Sequence, residues 1–255
     1  MTTRTAAETK QLVDALLRAL ERKGSKRNRD GMARYGIAAT KVFGVSVGII
    51  RQMAKPHRND HALALALWRT GWFEARLLSA FVEDPTKVTP DQMNRWARGF
   101  ENWADCDTAC FHLFDKTPHA WKKVREWSTS REEFVRRAAF ALVASIALHD
   151  KSAPDAPFLD ALKRIERAST DQRNFVKKAV SWALRSVGSR NYRLHREALR
   201  VATKLKRSAN PAARWIGSDA ARDLERPIVA KRLKRQASRT RLVSGKAKAR
   251  AAAIR

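Results

Sequence analysis

A helical segment in which an aromatic residue is followed three positions later by a basic residue recurs along this chain, and this repetition constrains the fold most strongly. Residues 134–139 (FVRRAA) align with residues 175–180 (FVKKAV) at an offset of 41 residues, and residues 73–78 (FEARLL) share the same order. A spacing of about 40 residues is typical of two-helix HEAT-like units, which stack and bury a continuous core. Chance similarity between basic helices is the alternative. The three shared spacings favour an all-α solenoid of HEAT-like helix pairs with a concave face.

Apolar spacing and helix-start signals predict helices throughout the chain. An apolar stripe at helical spacing runs from Leu12 to Leu20 and ends at Gly24. The stretch of residues 42–47 is the one candidate for extended backbone, and Gly44 there indicates a loop instead. Three helix starts carry capping signals: Thr89-Pro90 with Gln92, Ser130 with Glu133, and Asn210-Pro211.

The net charge indicates a polyanionic partner. Lys and Arg number 53 against 25 Asp and Glu, which gives the 255-residue chain a formal charge of +28. An excess this large repels itself in a compact state unless a polyanion offsets it, and nucleic acid is the commonest such partner. A membrane surface, ribosomal RNA and a merely very soluble surface remain alternatives.

The positive charge is divided between a body and a tail. Residues 226–255 carry 11 of the Lys and Arg residues and no Asp or Glu, which leaves +17 on residues 1–225. Small residues separate the charges of the tail, a composition typical of disordered arms. We therefore expect a HEAT-like domain over residues 1–225. We expect residues 226–255 to form a basic C-terminal tail, in which a helix end is followed by disordered chain.

The sequence disfavours several classes of site and location. The two cysteines, Cys106 and Cys110, cannot build a disulfide framework, and we interpret them as buried thiols in a reducing compartment. No apolar run approaches the roughly 20 residues of a membrane span, and residues 1–10 lack the apolar core of a secretory signal. We interpret His57 and His61 as solvated loop residues, because no third metal ligand accompanies them. We expect a cytoplasmic protein with no metal and no cofactor.

Residues 101–108 place an aromatic ring and a carboxylate on the same face of a helix. Trp103 and Asp107 are four residues apart, whereas Asp105 points elsewhere. A ring face attracts positive charge, and a carboxylate stabilises a developing cation and orients water. The alternative, which these residues alone favour, is structural: Asp107 pairs with a neighbouring arginine, and Trp103 belongs to the core.

Four stretches of the chain together resemble the AlkD-type DNA alkylation repair family of HEAT-like repeat glycosylases. They occur in the family's order: residues 31–36 (GMARYG) with 43–45 and Arg51, the segment from Trp103 to Asp107, residues 135–139 (VRRAA), and residues 175–185 (FVKKAVSWALR). The resemblance implies a right-handed superhelical solenoid with a concave basic face. It also implies a monofunctional DNA glycosylase, a hydrolase of base excision repair. Such an enzyme removes positively charged N3- or N7-alkylated purines without a deep base-flipping pocket.

The resemblance also implies roles for individual residues. Asp107 matches the family's catalytic carboxylate, Trp103 matches an aromatic residue that packs against the lesion nucleotide, and Trp182 matches the second aromatic residue of the cleft. Arg137 matches an arginine that holds the DNA backbone near the lesion. This sequence has Ala104 where members often have an aspartate, and its aspartate comes one position later. The departure leaves the spacing from Trp103 to Asp107 intact.

Further basic residues are candidates for phosphate contacts, although each is equally an ordinary solvated charge: Arg34, Lys41, Arg51, Arg76, Lys178 and Arg185. Phosphate contacts provide affinity and salt dependence rather than sequence choice. We expect a nucleoid-associated monomer that binds double-stranded DNA carrying alkylated purines, without a membrane or protein partner. Two other functions stay open. One is a non-catalytic HEAT-like protein that recognises damaged or distorted DNA, and the other is a HEAT-like module that binds acidic proteins.

Overall fold

The computed structural model of the chain describes residues 4–235 and 238, and every regular element in this part is a helix. The chain divides into two compact units, with residues up to Leu142 in the first and residues from Val143 in the second. The first unit contains α1 (Ala6–Lys23), α2 (Lys26–Arg34), α3 (Val47–Ala54), α4 (His61–Arg69), α5 (Phe73–Val82), α6 (Pro90–Arg98), α7 (Trp103–His112) and α8 (Ala120–Trp127). The unit boundary falls within α9 (Glu133–His149), and the second unit continues with α10 (Asp155–Ala168), α11 (Asn174–Gly188), α12 (Tyr192–Lys206) and α13 (Pro211–Leu224). Within the described ranges, none of these helices combines the length and the apolarity needed to cross a membrane.

Helix ends follow several of the predicted signals. Thr89 and Asn210 cap α6 and α13 through their side chains, and Gly24 ends α1, as the sequence predicts. The capping box predicted at the start of α6 is wrong in one respect, because the side chain of Gln92 does not bind back to the helix start. The side-chain amide of Gln92 donates instead to the buried carboxylate of Glu83, at 2.6 Å. A buried carboxylate left without donors would be costly, and this bond satisfies part of its need.

The predicted repeat aligns helix with helix. Phe134 and Phe175 are the second residues of α9 and α11, and Phe73 is the first residue of α5. Helix α9 begins at Glu133, so Ser130 lies before the helix start and the predicted N-cap at that residue is wrong. Equivalent aromatic residues at equivalent helix positions are what stacked helix pairs require, because each pair buries the same face against its neighbours.

The helices of the first unit pack in the alternating order of stacked helix pairs. Helix α1 packs on α4, α4 on α5, and α5 also contacts α3 and α7. Leu63 and Leu67, one turn apart on α4, are fully buried in this arrangement. Trp68 stacks on Trp96 of α6, with ring centroids 4.2 Å apart. Offset aromatic pairs of this kind stabilise a core by about 1 kcal/mol beyond their buried area.

A buried carboxylate holds the loop between α2 and α3. The loop covers residues 35–46, the predicted loop at Gly44 lies in its second half, and Glu74 of α5 lies fully buried beneath that half. One carboxylate oxygen of Glu74 accepts the backbone N–H groups of Gly44 and Val45 at 2.6 and 3.1 Å, and the other accepts that of Phe43 at 3.0 Å. Gly44 has a φ of 84°, in the left-handed region that favours glycine. Three N–H donors compensate the charge that the fold removes from water.

The interpretation of His61 as a solvated loop residue is wrong. His57 lies in a short 3-10 helix, Lys55–His57, but His61 begins α4. The Nδ1 atom of His61 lies 2.8 Å from a carboxylate oxygen of Glu83, whose side chain is buried. Burial raises the pKa of Glu83, and its bonds from His61 and Gln92 oppose that rise. This histidine therefore belongs to an internal polar network.

The second unit also follows the alternating order. Helix α10 packs on α11 and α12, and α11 and α12 each pack on α13. Gly217 of α13 permits the close approach of α12. A Cβ atom at this position would lie 2.2 Å from the backbone nitrogen of Lys206 and 2.6 Å from the carbonyl oxygen of Ala202. Any larger residue would force these two helices apart.

Ordered structure continues beyond the expected domain boundary at residue 225. Residues 227–235 are helical, and within them Val229 and Leu233 are buried. A basic segment that buries two apolar side chains belongs to the fold rather than to a solvated arm. Apart from residue 238, the remainder of the predicted tail lies outside the described residues.

Candidate nucleic-acid interface and catalytic site

The start of α7 is fixed by a capping box. The side-chain oxygen of Asn102 accepts the backbone N–H groups of Ala104 and Asp105, at 2.9 and 3.3 Å. In return, the carboxylate of Asp105 accepts the N–H groups of Asn102 at 3.2 Å and of Glu101 at 3.0 Å. These bonds satisfy backbone donors that a helix start leaves without partners. Helix α7 therefore begins at a defined residue, which fixes the direction of every side chain on its first two turns.

The side chain of Asp105 forms part of this capping box and does not lie on the exposed face of the helix. Its side chain is buried, and its Oδ2 atom lies 3.9 Å from the guanidinium of Arg76. Burial raises the pKa of Asp105 to about 6, although the backbone donors and Arg76 favour the ionised form. The shift of this aspartate by one position relative to the family pattern leaves α7 regular from Trp103 to His112.

Trp103 is the first residue of α7 and is half-buried. Its indole nitrogen donates to the backbone carbonyl of Tyr35 at 2.8 Å, next to the end of α2. The side-chain amide of the preceding Asn102 donates to the carbonyl of Ala38 at 3.2 Å. Two side chains at the start of α7 thus tie down the loop after α2. A ring held at both its backbone and its nitrogen has little freedom to change orientation.

Asp107 forms a bidentate ion pair with Arg137 of α9. The Nε atom of Arg137 lies 2.8 Å from Oδ1 of Asp107, and its Nη2 atom lies 2.6 Å from Oδ2. The side chain of Arg137 is 7% exposed, whereas that of Asp107 is 19% exposed. The carboxylate is therefore the more accessible partner. Parallel paired bonds of this type fix the plane of a carboxylate as well as its position.

Burial and pairing act in opposite directions on this carboxylate. Burial raises the pKa of Asp107 above its ordinary value, and the guanidinium of Arg137 opposes the rise. Burial lowers the pKa of Arg137, but the carboxylate more than offsets this, so the arginine remains charged. The pairing is the structural alternative that residues 101–108 alone favour. The half-buried position of Trp103 differs from that alternative, which places Trp103 in the core.

The two cysteines lie beneath this pair and dock α7 on α9. Cys106 and Cys110 are free and buried, as interpreted from the sequence. Their thiols lie 3.6 Å from the carbonyl oxygens of Phe134 and Ala138, respectively. Burial raises the pKa of both thiols, which keeps them protonated and unreactive. They act as small packing residues that bring Arg137 within reach of α7.

Asp107 occupies a position that is apolar in the neighbouring repeats. The alternate helices α5, α7, α9 and α11 each carry an aromatic residue at their first or second position: Phe73, Trp103, Phe134 and Phe175. Four residues further on, α5, α9 and α11 have the buried apolar side chains Leu77, Ala138 and Ala179, but α7 has Asp107. The sequence shows this difference at Asp107 only when α7 is included in the repeat alignment. The repeat pattern does not identify α7, because α7 has Cys106, rather than a basic residue, three positions after its aromatic residue.

A sequence profile described as DNA alkylation repair enzyme matches residues 16–224 of the chain. The chain belongs to this DNA alkylation repair family. Among solved structures, a similar chain with a TM-score of 0.69 is 21% identical, and the match covers 82% of this chain and 94% of that one. It is described as belonging to "a new family of proteins related to the HEAT-like repeat DNA glycosylases with affinity for branched DNA structures". The comparison with curated proteins gave no match.

These comparisons confirm the predicted family and the predicted all-α, HEAT-like fold. The profile covers the helices from the middle of α1 to the end of α13, so both units belong to the DNA alkylation repair domain. The similar structure supports the fold alone at its level of identity. The roles that the family resemblance implies for single residues stay predictions, and the structure adds where each residue lies.

Four of the residues predicted to contact phosphates are exposed. Arg34 ends α2, Lys41 lies in the loop after it, and Lys178 lies on α11. Exposed cations on helices and adjoining loops of a DNA alkylation repair domain are available for phosphate contacts. Arg51 of α3 is also exposed, but its guanidinium lies 3.1 Å from a ring nitrogen of His112.

Other predicted DNA contacts are engaged inside the protein. Arg76 donates to the carbonyl of Gly99 at 3.0 Å and to the carboxylate of Glu101 at 2.7 Å. Its side chain is 14% exposed. Arg137 is more deeply buried still and is paired with Asp107. Both arginines hold α7 in place, so a phosphate that reached either one would compete with an existing carboxylate partner.

The second unit contributes Trp182 and Arg185, both on α11. Trp182, the predicted second aromatic residue of the cleft, is half-buried. Arg185 is 34% exposed, and its Nε atom lies 3.6 Å from the carboxylate of Asp219 on α13. Asp219 also accepts the hydroxyl of Ser181 at 2.6 Å. This carboxylate thereby orders the surface of α11 around Trp182.

A cleft of about 590 Å³ opens between α2 and the loop that follows it. Its lining is mainly apolar, with one cation and one carboxylate: Arg29, Met32, Ala33, Ile37, Ala38, Ala39, Thr40, Val42 and Glu101. The loop wall is held through the bond from Asn102 to Ala38 and that from the Thr40 N–H to Glu101, at 3.4 Å. The start of α7 therefore positions one wall of this cleft.

Proposed function

We propose that this protein is a monofunctional DNA glycosylase that removes positively charged N3- or N7-alkylated purines from double-stranded DNA. The observation that carries the proposal is Asp107, a partly exposed carboxylate that stands on α7 where neighbouring repeats have apolar residues. In a chain of net charge +28 that binds DNA, a carboxylate on the binding face repels phosphates and weakens binding, so its presence there favours a chemical use. A protein with this charge and activity would associate with the nucleoid.

Removal of such a base requires a carboxylate near the sugar rather than a strong acid that protonates the base. A purine alkylated at N3 or N7 already carries positive charge, so it leaves with the electron pair of the glycosidic bond without prior protonation. The deoxyribose is left as an oxocarbenium-like cation, which a carboxylate stabilises in glycosidases. Asp107 would stabilise this cation and direct a water molecule to C1′, after which the water loses its proton.

An aromatic ring at the start of α7 would contribute a contact to the same cation. Trp103 presents a ring whose nitrogen is held by Tyr35. Trp182, on α11, is a candidate through the family resemblance alone. Cation–π attraction to a tryptophan is worth about 0.5–2 kcal/mol, depending on how far the pair is desolvated. An orientation fixed before DNA arrives avoids the entropy of ordering the ring during the reaction. The glycosylase would thus use a preformed surface, without a deep base-flipping pocket.

Arg137 has a specific part in this proposal. Its bidentate bonds hold the Asp107 carboxylate in one plane, and its charge favours the ionised form that the reaction needs. A DNA phosphate drawn towards the guanidinium would withdraw part of that charge from Asp107. This would leave the carboxylate more negative when the substrate is bound.

The same ion pair also supports a second candidate function. With both oxygens of Asp107 engaged by Arg137, much of the carboxylate's charge is already balanced. The similar solved structure belongs to proteins described as having affinity for branched DNA. The second candidate is therefore a non-catalytic HEAT-like protein that binds damaged or distorted DNA.

Base release from methylated DNA distinguishes the two candidates. We expect the wild-type protein to release free 7-methylguanine or 3-methyladenine, quantified by chromatography, and to leave the strand uncut. Asp107→Asn should abolish release while DNA affinity is retained, because the substitution removes the charge and keeps the shape. Asp91→Asn, at an exposed position on α6, is the matched control and should release bases like wild type. Absence of release by wild type, with DNA binding intact, would leave the second candidate.

A further inference from the structure

The second unit exposes one tryptophan, Trp215 on α13. Of the tryptophans in the described part of the chain, Trp215 is the only exposed one, at 39%. Large aromatic side chains usually bury most of their surface, so an exposed tryptophan on a rigid helix suggests a contact with another molecule. The first turn of α13 is well fixed, since Pro211 occupies its first position and Asn210 caps it.

A cation lies over the ring of Trp215. The Nζ atom of Lys177, on α11, is 4.9 Å from the ring centroid. Helices α11 and α13 pack directly on each other, so this pair joins two elements of the same unit. The contact restrains the ring and places positive charge beside it. Lys177 is therefore the cation that the structure places at this ring.

The carboxylate closest along α13 does not offset this charge. Asp219, one turn after Trp215, accepts the Ser181 hydroxyl at 2.6 Å and the Arg222 guanidinium at 2.8 Å. Arg185 also lies 3.6 Å from it. Asp219 is thus neutralised by its own neighbours. On the other side, Arg214 precedes Trp215 and is exposed. The charge around the ring is positive, which matches a polyanion such as DNA.

We propose that Trp215, together with Lys177, forms a stacking platform for unpaired bases of a DNA strand. The proposal rests on the DNA binding, but not on the base release, of the proposed function. Exposed aromatic rings beside cations are the elements by which proteins bind single strands, since every base offers a π-face and every nucleotide a phosphate. Bases inside an intact duplex are stacked on each other and do not offer that face. The platform therefore selects DNA with gaps, loops or frayed ends.

Fluorescence anisotropy with two labelled DNAs tests the platform. One is an intact duplex, and the other is the same duplex with a central gap that leaves several bases unpaired. Trp215→Ala should weaken binding to the gapped DNA by about five-fold or more, which is the scale of one lost base stack, and change duplex binding by less than about two-fold. Trp215→Phe, which keeps a ring, should retain most of the preference for gapped DNA.

Tyr192 provides the matched control, because it is an aromatic residue of the same unit that is 50% exposed and lies on α12. Tyr192→Ala should bind both DNAs like wild type. Fluorescence gives a second measurement: gapped DNA should quench wild type more than Trp215→Phe, and intact duplex should not distinguish them. An equal loss on both DNAs, or no loss on the gapped DNA, would overturn the platform. Failure of base release by wild type, with the Trp215 selectivity intact, would count against the glycosylase proposal alone.

Discussion

Asp105 and Asp107 are two residues apart on α7, and their surroundings give them different tasks. Asp105 faces backbone N–H groups at the helix start and is buried. Asp107 faces the guanidinium of Arg137 and keeps a fifth of its side chain exposed. The first carboxylate fixes where the helix begins, and it thereby fixes the position of the second, which is the proposed catalytic carboxylate. Substitutions at the two positions should therefore separate a stability effect from an activity effect.

The ionisation of Asp105 should make stability depend on pH. Its pKa is raised to about 6 in the fold, so between its unfolded value and 6 the folded state binds more protons than the unfolded state. Stability from this group is present at low pH and is lost as the pH rises through 6. Lowering the pH from 7 to 5 should stabilise wild type by about 1 kcal/mol relative to Asp105→Asn. Urea unfolding of both proteins at the two pH values measures this difference. An identical pH response of the two proteins would contradict the prediction.

At the scale of elements, buried or half-buried polar contacts from helices α5 and α7 hold the irregular chain between α2 and α3. Glu74 binds the loop at Phe43, Gly44 and Val45, whereas Asn102 and Trp103 bind it nearer α2. The loop contributes few buried apolar side chains of its own, so these hydrogen bonds determine its course. The cleft beside α2 takes its shape from the same contacts.

Glu74→Gln should lower the free energy of unfolding by about 2–3 kcal/mol. The amide keeps the size of the side chain, but its nitrogen faces backbone N–H donors, which leaves buried donors without an acceptor. Chemical unfolding measures the loss, and hydrogen exchange at residues 43–45 locates it. Glu132→Gln, at a side chain that is 56% exposed, is the control and should change stability by less than about 0.5 kcal/mol. A Glu74 variant as stable as this control would show that the loop does not depend on the carboxylate.

At the scale of the whole molecule, positive charge is spread over the folded body and its C-terminal extension. The body up to residue 225 carries +17, and the helical residues 227–235 bury Val229 and Leu233 while presenting lysines and arginines to solvent. Part of the basic tail is therefore also part of the fold. The boundary that the composition indicates at residue 225 separates the charge, and the helix end predicted at the start of the tail packs as part of the fold up to residue 235.

Truncation at two sites should distinguish these contributions. Removing residues 236–255 takes away six Lys and Arg residues, and the shortened protein should still bind duplex DNA. The slope of its log affinity against log salt should fall by up to about 5, because each phosphate contact contributes about 0.9. Removing residues 226–255 should in addition lower the melting temperature, since it deletes the buried Val229 and Leu233. If the protein that lacks residues 236–255 lost all DNA binding at low salt, the body would not bind DNA by itself.

The sequence by itself determined the features that depend on local spacing. Helical periodicity, the capping residues Thr89 and Asn210, the loop at Gly44 and the shared face of Trp103 and Asp107 follow from backbone geometry within a few residues. The family resemblance was also carried by such short stretches. These predictions hold because they depend on contacts between residues that are near each other in the chain and not on which helix packs on which.

Only the tertiary structure decided which charges meet. Arg76, Arg137 and Lys178 occupy equivalent positions of the sequence repeat. The two arginines nevertheless bind carboxylates, whereas the lysine is exposed. Asp107 and Arg137 are 30 residues apart, and their pairing depends on how α7 docks on α9. No spacing rule within one helix encodes that docking, because it results from the shape of a whole interface. The packing of the two helices therefore converts a repeat motif into a candidate active site.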